Sequence, residues 1–113
     1  AEFVKDALDV PALRVVGPLD AIVHKVAVVG GDGNKYIHTA KFAGADVFVT
    51  GDIGFHMAQD AEVEGLWIVD PGHHVEKVMI KGVAEKMKQL CDNNKLNVDF
   101  IQSTIHTEPF KFI

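Results

Sequence analysis

Apolar residues are spaced along this chain in two ways. Short, nearly unbroken apolar runs alternate with longer stretches in which apolar positions recur every three or four residues. The runs are LRVVG (13–17), HKVAVVG (24–30), DVFVTG (46–51) and LWIVD (66–70). They are rich in β-branched residues and bounded by glycine or polar residues, as strands covered on both faces are. The helical spacing occupies EFVKDALDV (2–10), which Pro11 closes, NKYIHTAKFAG (34–44), FHMAQDAEVEG (55–65) and VEKVMIKGVAEKMKQLCDN (75–93). Gly44 and Gly65 stand where a helix ends in a left-handed residue. A final strand is predicted over NVDFIQST (97–104), followed by the aromatic tail PFKFI, and GPLDA (17–21) reads as a joint. Strand and helix in alternation predict an α/β fold: a mostly parallel sheet with helices on both faces.

Composition narrows the possibilities. With 113 residues, 48% of them apolar, the chain can bury one core, so residues 1–113 read as a single domain. The net charge of −5 comes from acids and bases interleaved along the chain, with no basic stripe to neutralise a nucleic-acid backbone. The lone cysteine, Cys91, excludes a disulfide framework or a thiolate metal cluster and suits a reducing cytoplasm. No apolar run approaches the roughly 20 residues that span a bilayer. Because the first residue is alanine, the sequence reads as part of a longer chain.

In a parallel sheet, ligands collect outside the carboxyl ends of the strands. Three successive strand ends carry unusual residues: GGDGN (30–34), TGDIGFH (50–56) and DPGHH (70–74). The first reads foremost as a tight turn with Asp32 or Asn34 capping a helix, with an anion-cradling loop as the alternative; it lacks the spacing of a P-loop or a dinucleotide fingerprint. In the second, Asp52 and His56 are four apart, so a helix starting near Asp52 would carry both on one face, as a carboxylate-oriented imidazole or simply as a cap and a solvated histidine. The third delivers His73 and His74 to a helix start, with Glu76 three residues after His73. That spacing places His73 and Glu76 within reach of one divalent ion, and equally describes a helix start with a capping glutamate. Two ligands fall short of a catalytic metal site, which takes three from the protein. His24, His38 and His106 add no pattern. Neither Ser103, Thr104 nor Cys91 has the setting of a nucleophile.

Taken together and in order, the stretch from HKVAVVGGDGN through GADVFVTGD and DAEVEGLWIVD to GHHVE, with the ending STIHTEPFKF, resembles the C-terminal lobe of the Nif-three-like dinuclear metal-centre proteins, the type 2 homologues of GTP cyclohydrolase 1. The resemblance covers nearly the whole chain. It implies two divalent ions, whether zinc, iron or manganese, in a cleft between two α/β lobes. This lobe would supply His73 and Glu76; in short members the glutamate stands four residues after the histidine and here three, which leaves the register open and His74 a further candidate. The remaining ligands would come from an N-terminal lobe not contained in these residues. The resemblance further implies a ring-like homohexamer and a metal-dependent hydrolase, with Asp52 or His56 orienting a ligand or moving a proton. A non-catalytic metal-binding or regulatory scaffold is the alternative. A third reading places a nucleotide at residues 30–34 without metal.

Overall fold

A computed structural model describes all of residues 1–113. The elements follow in the order α1 (Glu2–Leu8), β1 (Arg14–Val16), β2 (Val26–Asp32), α2 (Ile37–Phe42), β3 (Val47–Gly51), α3 (Phe55–Val63), β4 (Trp67–Asp70) and α4 (Val78–Asn93). Single 3₁₀ turns at Asn34–Tyr36 and His73–Lys77 lead into α2 and α4. The fold is α/β, as the alternation predicts.

The strands form one sheet in the order β1-β4-β3-β2. β2 runs parallel to β3, and β3 to β4, while β1 pairs antiparallel with β4, Arg14 opposite Asp70. β3 lies between two neighbours and every one of its residues is buried, which is why it reads as an unbroken apolar run. Side chains alternate across it. Phe48, aligned with Ile68 of β4 and Ala27 of β2, faces α2 and α3, where Ile37, Ala40, Ala61 and Leu66 close the main core. Val47, Val49 and Val69 face the other way and receive Val4 of α1 together with Leu13. Both middle helices are terminated by left-handed glycines, Gly44 at φ 78° and Gly65 at φ 70°.

The expected strand over 97–104 is absent: residues 97–113 form neither helix nor strand. A strand requires a partner for its backbone N–H and C=O groups, and this segment instead crosses the entrance to α4, where Gln102–Thr107 wall a groove. α4 is likewise loosely held. Only its Cys91 is buried, and Met79, Val83, Met87 and Leu90 remain exposed. The outcome is an elongated molecule, 53 × 35 × 25 Å, with a radius of gyration of 16.8 Å. A compact chain of this length would have one of about 13 Å. No helix is long and apolar enough to cross a membrane.

Candidate metal centre

Because β2, β3 and β4 are parallel, their carboxyl ends share one rim, and residues 30–34, 50–56 and 70–74 meet there. Asp70, at the end of β4, is buried and fully engaged. It pairs with the Arg14 guanidinium and accepts hydrogen bonds from the N–H groups of Ile53 (3.0 Å) and Gly72 (2.8 Å). This carboxylate therefore ties β1, the β3–α3 loop and the turn after β4 into one unit. Gly72, at φ 84°, then swings the chain so that His73 opens the 3₁₀ turn. Glu76 makes no capping bond at that turn, so the helix-cap explanation for it is not realised.

The loop after β3 departs from expectation. Asp52 is left-handed, at φ 57°, and α3 begins only at Phe55, so Asp52 and His56 share no helical face. Asn34 holds this conformation: its amide N–H donates to the Asp52 carbonyl (2.8 Å) and its carbonyl accepts from the Gly54 N–H (2.9 Å). Asn34 is itself fixed by Asp32, whose carboxylate accepts from the Asn34 backbone N–H (2.9 Å) and side-chain amide (2.6 Å). Those two bonds, the backbone one foremost, hold the Asp32 carboxyl below its ordinary pKa. So Asp32 and Asn34 act as a clamp on the neighbouring loop rather than as a helix cap.

Set this way, the Asp52 carboxylate accepts a hydrogen bond from His73 Nδ1 at 2.7 Å. That bond is the main cause of a raised His73 pKa; desolvation opposes it, and the negative charges of Asp52, Glu76 and Asp32 add to it. With Nδ1 taken, Nε2 is the atom left to bind. It faces Glu76 Oε2 at 3.4 Å, beyond a good N–H···O hydrogen bond. Two ligands on a tetrahedral ion, with metal–nitrogen and metal–oxygen distances near 2.0–2.2 Å, lie about 3.4 Å apart. The pair therefore fits a divalent ion. Nowhere in the chain do three or more His, Cys, Asp or Glu side chains converge to hold an ion unaided.

The other candidates point elsewhere. His74 packs its ring against His106 of the tail, centroids 4.9 Å apart, and His56 meets Phe55 edge-on and Gln59 at 3.4 Å. Within residues 30–34, the side of Gly31 where a Cβ would stand is backed by Glu76 and His73, and that of Gly33 by Thr50, so a carboxylate already stands beside the loop.

A family model described as Duf34/NIF3 (NGG1p interacting factor 3) matches residues 1–109. The chain belongs to that family. It is 55% identical over its full 113 residues to a Bacillus subtilis protein named GTP cyclohydrolase 1 type 2 homolog, and 44% identical over 108 residues to a Listeria monocytogenes protein of the same name. Among solved structures it resembles a Bacillus cereus protein related to NIF3 (59% identity, TM-score 0.91, 99% of this chain and 31% of that one). A Staphylococcus aureus hypothetical protein is similar across 100% of this chain and 38% of its own, at 39% identity and a TM-score of 0.94. The chain spans about 30% of the length of the curated relatives it matches.

Within this NIF3-family chain, the His73–Glu76 pair opens onto a groove of about 960 Å³, bordered by Val28 and Val49 on the sheet, Met79 on α4 and Ile105 in the tail. The sequence marks the pair, but it assigns Asn34 to a helix cap and gives Gly31 and Thr50 no part of their own, because their parts depend on strand register and loop conformation. The only available signal was the crowding of glycine, Asp and Asn after β2.

Proposed function

We propose that this chain contributes half of a dinuclear divalent-metal site, with His73 and Glu76 as its ligands, to a metal-dependent hydrolase. The supporting observation is the 3.4 Å separation of His73 Nε2 and Glu76 Oε2, with His73 Nδ1 already held by Asp52. Asp52 fixes the imidazole's tautomer and strengthens it as a donor, as carboxylate partners of metal-bound histidines do. Asp32 and Asn34 hold Asp52 in place. When bound, a pair of divalent ions supplies a hydroxide nucleophile near neutral pH and clamps the attacked group. The lobe offers two ligands where such a site takes at least three, so the rest come from outside these 113 residues, in a longer protein that we propose to be a cytoplasmic homohexamer. The Bacillus subtilis relative's name supports hydrolysis of a GTP-like substrate. That reading rests on the metal pair, since the rim beside it carries Asp32, Asp52 and Glu76 and would repel phosphate in the absence of metal.

Elemental analysis of the full-length protein tests this. Bound divalent metal should fall in both His73→Ala and Glu76→Ala, together with turnover of nucleotides, phosphoesters or cyclic amides. Metal content indifferent to both substitutions would rule out the site. Metal present without turnover of any substrate class would leave a metal-binding scaffold.

A further inference from the structure

β2 and β3 stay in register from Val26↔Val47 to Val28↔Val49, and the next pair is Asp32↔Gly51. Between those pairs β2 advances four residues (28 to 32) and β3 two (49 to 51), so β2 bulges over Val29–Gly31. A bulge re-aims the backbone, and here it carries Gly31 outward toward the turn that holds His73 and Glu76. Gly31 sits at φ 64°, where a side chain is strained. A Cβ on Gly31 would lie 2.6 Å from Glu76 Oε1 and 3.2 Å from His73 Cε1. Glu76 therefore rests one carboxylate oxygen on bare backbone while turning the other toward His73 Nε2. The bulge is pinned from beneath, where the buried Thr50 hydroxyl donates to the Gly31 carbonyl at 3.0 Å.

We infer that Gly31, held by Thr50, is a positioning residue for the metal pair: its bare left-handed backbone sets where Glu76 places its carboxylate relative to His73, and so whether the two side chains can share one ion. This rests on the metal reading proposed above. Glu76 is half-exposed and its turn belongs to another segment of the chain, so without the Gly31 surface its carboxylate has several rotamers to choose from.

The test uses the full-length protein and Zn²⁺, with affinity measured by chelator competition and folding by the melting temperature of the metal-free protein. Gly31→Ala should weaken Zn²⁺ binding about 10- to 100-fold, as loss of a supporting contact around a metal site does. Glu76→Asp should weaken binding in the wild-type background, where it shortens a correctly placed ligand. In the Gly31→Ala background it should strengthen binding, because the shorter side chain clears the added methyl. A purely structural role for Gly31 would not reverse that sign. Should Gly31→Ala fail to fold, Thr50→Val takes its place and should weaken binding, while Thr50→Ser keeps the hydroxyl and the affinity. Wild-type affinity in Gly31→Ala or Thr50→Val, or equal weakening by Glu76→Asp in both backgrounds, overturns the inference alone. Wild-type metal content that does not depend on His73 removes the site and the inference together.

Discussion

Residues 26–70 and residues 78–113 contrast sharply in how they use apolar side chains. In the first region, Phe48, Leu66 and Ile68 are fully buried within a sheet-and-helix sandwich, although Val28, Phe42, Phe55 and Val63 on its surface stay exposed. In the second, α4 carries Met79, Val83, Met87 and Leu90 in helical spacing yet leaves all four exposed, and Ile101, Phe110 and Phe112 in the tail are exposed too. Both segments are amphipathic or strand-like by sequence, so patterning alone does not separate them. What differs is topology: a parallel sheet surrounds its central strand with neighbours, while α4, beyond the carboxyl rim, packs chiefly on the turn at its own start and buries only Cys91. The His73–Glu76 pair lies at the boundary, on that turn, steered by the packed region and opening toward the loose one.

The contrast breaks most directly by truncating one side chain in each region. Phe48→Ala should cost about 3–5 kcal/mol, since it opens a cavity among residues that cannot collapse into it. Met87→Ala should stay within about 0.5 kcal/mol of wild type, because the side chain is exposed and alanine is the better helix former. Denaturant midpoints of the two variants decide the matter. A Met87→Ala cost above about 1.5 kcal/mol would mean that α4 is packed and the contrast false.

A smaller effect is expected at the joint between the regions. Asp70→Asn keeps the shape but removes the charge that pairs with Arg14 and accepts from Ile53 and Gly72. Its loss should cost about 1–3 kcal/mol. Because Asp70 aims the turn that carries His73, the same substitution should also loosen the His73–Glu76 pair. Amide exchange should rise at residues 52–54 and 72–76 while β3 stays protected. Uniform loss of protection across β3 would show that Asp70 serves the core rather than the joint.

How far these features can be read from sequence follows the same division. β3 and β4 were legible because burial on both faces forces unbroken apolar runs; β2 carries such a run at the sheet edge, where Val26 and Val28 stay exposed; and Gly44 and Gly65 were legible because a left-handed helix end favours glycine. The rim was legible once the strands were parallel. The antiparallel pairing of β1 was not, since Arg14–Val16 has no pattern that encodes direction and is placed by the reach of Arg14 to Asp70. Asp52 was misplaced on α3 because four-residue spacing counts only within a helix, and the Asn34 clamp keeps Asp52 outside it. The strand expected at 97–104 has suitable side chains, but the segment pairs with neither edge strand, β1 or β2, and instead walls the groove over the turn that leads into α4. Gly31 escaped notice because a bulge is a property of two strands together.

The smallest effect concerns the opposite end of the sheet. Asp46 precedes β3 and its carboxylate accepts from the backbone N–H groups of His24 and Lys25, both at 2.8 Å, which sets the register of β2 against β3 from the start. These bonds, Lys25's foremost, hold its carboxyl below the usual carboxylate range. A carboxyl lowered in this way contributes stability above its unfolded pKa and loses it as pH falls from about 4 through the folded value. Asp46→Asn should therefore be somewhat less stable than wild type at pH 7, with the gap closing below about pH 4 as the wild-type carboxylate takes up its proton. The site is exposed, so the gap should be small and best resolved by urea midpoints compared between pH 3 and pH 7. A gap that widened in acid would mean that Asp46 is held by its neighbours in the protonated form. The β2–β3 register would then be set ahead of Val26↔Val47 by the backbone alone, through the Asp46 N–H donating to the Lys25 carbonyl at 2.8 Å.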